Sequence, residues 1–222
     1  MKQLLLDIGR EGPRRFENFV VGANEALVAA LHEVALAGSG PLYLWGPTQS
    51  GRTHLLEACG ALAIEAGRRV TRWPAPTGED AAIELLLVDD VHQLADADQI
   101  ALFNAFNHLA AAGHSLVLTG PMAPRDLPLR EDLRTRVGQC VVFELQALDD
   151  DHRRAILKHL AERRCIRLDD DVLNFLLRHG RRDLPSLLSV FEALDKASLE
   201  HQRPITLPLL RQLMQAGLDL SA

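Results

Sequence analysis

Cysteine is scarce in this 222-residue chain: Cys59, Cys140 and Cys165 are the three present, far apart and with no C-x-x-C pair. That excludes a disulfide framework and a zinc knuckle, and it points to a reducing, cytoplasmic setting. Long apolar runs are missing as well. No stretch approaches the roughly 18 uninterrupted apolar residues of a membrane span, and the apolar core after Met1 and Lys2 is too short for a secretory leader. Positive charge is the third shortage. Twenty-four basic residues face 30 acidic ones, for a net charge of −6. Residues 1–147 hold 12 basic and 18 acidic side chains, and residues 148–222 hold 12 of each. Duplex binding rests on a dense cationic surface, so a protein partner is the better expectation. Repeats and low-complexity segments are also lacking.

What is present is an ordinary globular composition, 47% hydrophobic and 24% charged, with mean hydropathy near zero. The length suits one large domain, or one domain with a small appendage. Residues 10–15 read as a linker. A helix is expected from Asn24 through Leu27, Leu31 and Val34, ending in the turn Gly38–Pro41. Leu42–Trp45, Leu85–Val88 and Leu116–Thr119 read as strands, with weaker ones at Arg69–Trp73 and Val141–Leu145. Helices are expected over Thr53–Ala66 and after Asp96. The second is read as capped by Asp96, with Ile100, Phe103, Phe106 and Ala110 on one face. Strands alternating with helices argue for an α/β fold with a parallel sheet. After about residue 147 the pattern turns all-helical: 149–165, 169–179, 184–201 and a short helix begun by Thr206 and Pro208. The acid triplets at 149–151 and 169–171 suit positive helix N-termini better than metal ligation.

Three sites carry chemistry. Gly46-Pro47-Thr48-Gln49-Ser50-Gly51-Arg52-Thr53 follows a strand and opens a helix, as a phosphate-binding P-loop does. Small residues there let backbone N–H groups converge on phosphate oxygens at the positive helix end, and Thr53 would offer its hydroxyl to Mg²⁺. Arg52 stands where Lys is expected, a planar fork in place of a compact ammonium. Asp89 and Asp90 end an apolar strand in the form of a Walker B motif. The first carboxylate there orients hydrated Mg²⁺ and the second polarises a water; Asp90 is one methylene shorter than the common Glu. Thr119 ends the next strand, where a hydroxyl serves as a sensor of phosphate or simply closes the strand. His92, just past the Walker B strand, is read as a surface or satisfied interior group, as are His54 and His108, none of which has metal-ligand spacing.

Several segments resemble the bacterial initiator DnaA and its relatives. Phe16–Asn24, with Phe19, Val20 and Val21, looks like the adenine-side motif of that family. Leu42–Leu56, including Thr53 and His54, resembles its P-loop region. Leu133-Arg134-Thr135-Arg136-Val137 matches the arginine-finger segment, and Arg182-Asp183-Leu184 the sensor 2 segment. The resemblance implies an AAA+ fold: a nucleotide-binding base over 10–147, with its parallel sheet, and a helical lid over 148–222. The altered P-loop in turn suggests ADP or ATP with Mg²⁺ retained as a wedge between base and lid, its phosphates held by Arg52 and Arg182, with ADP and slow turnover expected. The Asp89 carboxylate and the Thr53 hydroxyl are then the Mg²⁺-side groups.

Gln3-Leu4-Leu5-Leu6-Asp7-Ile8 is similar to peptides that dock on the bacterial sliding clamp, the β subunit of DNA polymerase III. Such peptides place Gln3 at a polar subsite and Leu4, Leu6 and Ile8 in an apolar pocket. With residues 1–9 as a clamp-binding peptide, and no helix-turn-helix pattern after the lid, the chain is similar to the Hda-like regulatory inactivators of this family. The expected role is to stimulate hydrolysis of ATP bound to DnaA, with Arg136 as an arginine finger in trans. Arg134 is its rival, and an ion pair of Arg136 with Asp132 or Glu131 is the bland alternative. A self-sufficient AAA+ ATPase such as a helicase loader, or an initiator paralogue, remains open, as does a homo-oligomer.

Overall fold

The computed structural model describes residues 14–75, 83–164, 166–180, 184–201 and 203–215. Contacts divide the chain into two compact units, Met1–Ala147 and Leu148–Ala222.

The first unit is built on five parallel strands: β1 (Pro41–Trp45), β2 (Val70–Arg72), β3 (Leu85–Val88), β4 (Ser115–Gly120) and β5 (Val141–Glu144), in the order β2-β3-β4-β1-β5. Its α-helices among the described residues are α1 (Glu25–Ala37), α2 (Arg52–Glu65), α3 (Asp96–Ala111) and α4 (Glu131–Gly138). Parallel strands covered on both faces read as continuous apolar runs, and every residue of β3 and β4 is buried. Successive side chains then serve opposite faces. Leu42, Leu44, Leu85 and Leu87 join Leu31 of α1 and Leu55 and Cys59 of α2 in one core. Tyr43, Leu86, Val88 and Leu118 join Leu102 and Phe106 of α3 and Leu133 and Val137 of α4 in the other. Each such leucine contributes about 1.5–3 kcal/mol by leaving water.

Two expectations about α3 are corrected. Asp96 is its first helical residue and the N-cap position falls to Ala95, so Asp96 acts through its charge at the positive end and not as a cap. The buried face is Gln99, Leu102, Phe106 and Leu109, whereas Ile100 is 45% exposed.

Burial pushes the thiols of Cys59 and Cys140 up to about 12, so both are inert packing groups. Arg68 ties α1 to the sheet, donating to the Val34 and Ala35 carbonyls at the end of α1, to Glu84 O (2.8 Å) and to Ser115 Oγ (3.3 Å).

The second unit holds α5 (Asp150–Arg163), α6 (Asp170–His179), α7 (Leu184–His201) and α8 (Leu207–Gln215). Asp149 caps α5, its carboxylate accepting the His152 N–H at 2.8 Å, and that bond holds its pKa below the usual carboxylate range. Asp169 occupies the cap position of α6 without a side-chain cap bond. Val172, Leu176, Leu187, Leu194, Ile205 and Leu210 form the main core of this bundle.

Candidate functional site

The carboxyl ends of β1, β3 and β4 gather the sequence-derived residues, because the register sets Leu44 beside Thr119 and Val88 beside Leu118. Open α/β sheets bind ligands at this edge. The loop leaving β1 turns on two left-handed residues, Gln49 (φ 64°) and Gly51 (φ 104°). Gly51 is required twice over, since a Cβ there would also stand 2.9 Å from Phe19 Cε2. Gly46 is similarly confined: its Cβ would meet Leu145 O at 3.0 Å and Ser50 Oγ at 3.2 Å. Pro47, Thr48 and Gln49 form the exposed rim.

Helix α2 starts from this loop with no side-chain cap, leaving its first N–H groups directed at the loop. Two buried polar atoms beside it, Ser50 Oγ and Arg52 Nη1, have no hydrogen-bond partner among the described residues. Buried polar groups are normally satisfied. Uncapped amides, an orphaned hydroxyl and an orphaned guanidinium nitrogen around one glycine-bounded loop fit a phosphate-bearing ligand.

Below the loop, three elements close on one carboxylate. Asp89 Oδ2 accepts the Thr53 hydroxyl at 2.7 Å, and Asp89 Oδ1 accepts the Thr119 hydroxyl at 2.5 Å. Thr119 Oγ1 in turn accepts the Asp90 N–H at 2.8 Å. Thr119 is fully buried with both roles of its hydroxyl engaged, so here it positions Asp89. Asp90 adopts a left-handed conformation (φ 47°), with Oδ1 3.0 Å from Arg52 Nη2 and 3.8 Å from His92 Nδ1. Among the described residues no group of three or more His, Cys, Asp and Glu side chains is arranged to hold a metal on its own.

The adenine-side segment packs against the same loop. The rings of Phe19 and His54 lie 5.7 Å apart, and His54 Nε2 is 2.8 Å from Arg15 O. Burial lowers the His54 pKa below the ordinary imidazole value. Val20 and Val21 are half-buried. Asn24 anchors the segment: its amide donates to Val21 O and Gln146 O, and its oxygen accepts the Gln146 N–H. Sequence reasoning gave Asn24 as the start of a helix and the last residue of the adenine-side motif, but not as a clamp. A buried side-chain clamp to a residue 122 positions away leaves no local signal.

Helix α4 carries the two candidate arginines. Arg136 lies half-buried on an open depression of about 800 Å³, with Nη1 donating to Gln139 Oε1 at 3.1 Å and its guanidinium carbon 5.8 Å from the Phe103 ring centre. Among the described residues Arg136 forms neither alternative ion pair, with Asp132 or with Glu131; Asp132 pairs with Arg130 at 3.1 Å. Arg134 lies half-buried on the same helix. Gln3, Leu4, Leu6, Ile8 and Arg182 lie outside the described residues. No described helix is long and apolar enough to cross a membrane.

Comparison with known proteins places this geometry. Residues 12–72 and 78–144 match the family model for the bacterial DnaA ATPase domain. Residues 150–214 match the model for the Hda lid domain. Domain III of the Thermotoga maritima replication initiation protein DnaA superposes with a TM-score of 0.74 at 24% identity, over 94% of this chain and 98% of that one. AMPPCP-bound DnaA from Aquifex aeolicus superposes with a TM-score of 0.70 at 24% identity, over 84% of this chain and 66% of that one. The Thermotoga maritima RuvB Holliday junction branch migration motor shares the fold, with a TM-score of 0.64 at 19% identity over 98% of this chain and 75% of that one. With more than half its length matched by the DnaA ATPase model, this chain belongs to the DnaA-related AAA+ family, joining a bacterial DnaA ATPase domain to a lid of the Hda type.

Proposed function

We propose that this protein is a negative regulator of bacterial replication initiation, which docks on the sliding clamp and stimulates hydrolysis of ATP bound to DnaA. The observation that carries the proposal is the contrast between its two sets of cations. Arg52, the P-loop cation, is turned onto its own Asp90, while Arg136 faces an open depression and, among the described residues, makes one hydrogen bond, to Gln139. A guanidinium has five N–H donors in a planar fork. Those Arg136 keeps free are suited to the oxygens of a phosphate presented by another molecule. Neutralising charge that builds on those oxygens is the action of an arginine finger.

The chain's own pocket serves as a scaffold. The P-loop amides, Ser50 and Arg52 would hold the phosphates of ADP or ATP, Thr53 and Asp89 the Mg²⁺ side, and Phe19, Val20 and Val21 the base side. By its resemblance to the sensor 2 segment, Arg182 is proposed as a further phosphate ligand. A bound nucleotide supplies polyanion charge at the loop. Self-sufficient hydrolysis is the poorer reading because Asp90, in the position that polarises water, is already paired with Arg52. Clamp docking is assigned to Gln3, Leu4, Leu6 and Ile8.

The test is DnaA-bound ATP hydrolysis in the presence of DNA-loaded clamp. Arg136→Ala should keep clamp retention and lose stimulation by at least about tenfold. Combined Ala substitution of Gln3, Leu4 and Leu6 should lose both. Full stimulation by Arg136→Ala would overturn the proposal.

A further inference from the structure

Helix α4 is eight residues long and has no side-chain cap of its own at Arg130. In a capping box a Glu or Gln at the third helical position reaches back to the N-cap N–H. Here that position is Leu133, which is fully buried in the core and has no polar group to offer. Another helix supplies the missing acceptor. Gln99 of α3, 5% exposed, accepts the Arg130 N–H at 2.8 Å through Oε1. Its other end donates through Nε2 to Leu94 O at 2.9 Å. Leu94 closes the short 3-10 turn Val91–Gln93 that begins at Asp90, and Gln93 Nε2 reaches Asp90 Oδ2 at 3.3 Å.

One turn further along α3, Phe103 lies beneath Arg136. Residues four apart share a helix face. The same face of α3 therefore grips α4 at its start and supports its functional arginine near its end.

We infer that Gln99 is a positioning residue for Arg136: by capping α4 from outside while bonded to the turn after Asp90, it fixes where that guanidinium is presented. The inference rests on the trans role proposed for Arg136. A buried amide that satisfies two backbone groups on separate segments defines their spacing and orientation, which an apolar side chain of equal volume does not. Misplacing a catalytic group by a small distance lowers turnover with little effect on association.

The experiment compares Gln99→Met, Gln99→Glu and Arg136→Ala as full chains, measuring maximal stimulation of DnaA-bound ATP hydrolysis, half-saturating concentration and melting temperature. Gln99→Met removes both bonds and should lower maximal stimulation at least about fivefold, with half-saturation within about twofold of wild type. Gln99→Glu keeps an oxygen for the Arg130 N–H but buries a carboxylate against Leu94 O. It should melt lower than Gln99→Met yet stimulate better. A purely structural role would rank the two variants the same way in both readouts, and that result would overturn the inference. So would wild-type stimulation by Gln99→Met while Arg136→Ala is inactive. Wild-type stimulation by Arg136→Ala would instead remove the trans role itself. Should Gln99→Met fail to fold, Gln99→Asn, with its reach shortened, is the replacement and carries the same expectation.

Discussion

Arg52 of the P-loop and Asp90 after β3 neutralise each other, their side chains 9% and 32% exposed and their charged atoms 3.0 Å apart. Removing one partner of a buried pair leaves the other charge uncompensated, at about 3–5 kcal/mol for a fully buried one. Asp90 is nearly a third exposed, so Asp90→Ala should cost about 1–3 kcal/mol. A lower urea midpoint at unchanged slope is the expected result. Added MgADP should recover more of that loss in the variant than it adds to wild type, because the carboxylate no longer competes for the guanidinium.

Gly51→Ala forces a left-handed residue to carry a Cβ against Phe19. The backbone strain alone is about 1–3 kcal/mol, and moving Phe19 disturbs the ring contact with His54. The melting temperature should fall by several degrees, and fluorescent-nucleotide affinity should weaken together with it.

Arg68→Met removes the donor that serves carbonyls at the end of α1 and before β3. Unsatisfied buried acceptors cost about 1–3 kcal/mol each before water relieves them. A loss of about 2–3 kcal/mol is expected by denaturant titration. Amide hydrogen exchange should speed up at the end of α1 first.

His54 gives stability a pH dependence of definite sign. Burial is the main cause lowering its pKa, partly opposed by the contact with Arg15 O. The unfolded chain therefore binds a proton at higher pH than the folded one. Stability is fully present above the ordinary imidazole value near 6.5 and declines as pH falls toward the depressed folded value. His54→Phe should flatten that part of the stability curve, measured by urea midpoints between about pH 7 and pH 5.

The strands of the first unit could be read from the sequence because burial on both faces leaves β3 as four unbroken apolar residues. The P-loop was equally legible, since its glycines and its place between strand and helix are local properties. The face of α3 was not. Its true line, Leu102, Phe106 and Leu109, is interrupted by buried Gln99, so the apolar pattern alone favours the frame through Ile100 and Phe103. A polar residue that is buried because its partners lie 5 and 31 positions away looks like a surface residue until the chain is folded. The Arg52–Asp90 pair was hidden for the same reason. Each residue had a plausible ligand-facing role, and only the meeting of the P-loop with the end of β3 shows that they face each other.

Two threonine hydroxyls, one from α2 and one from β4, already hold the Asp89 carboxylate. A pocket so arranged in the folded chain requires little ordering when a ligand arrives. Calorimetry of nucleotide association should therefore show a modest heat-capacity change, of the size set by contact area and without the larger component that accompanies segments folding around their guest.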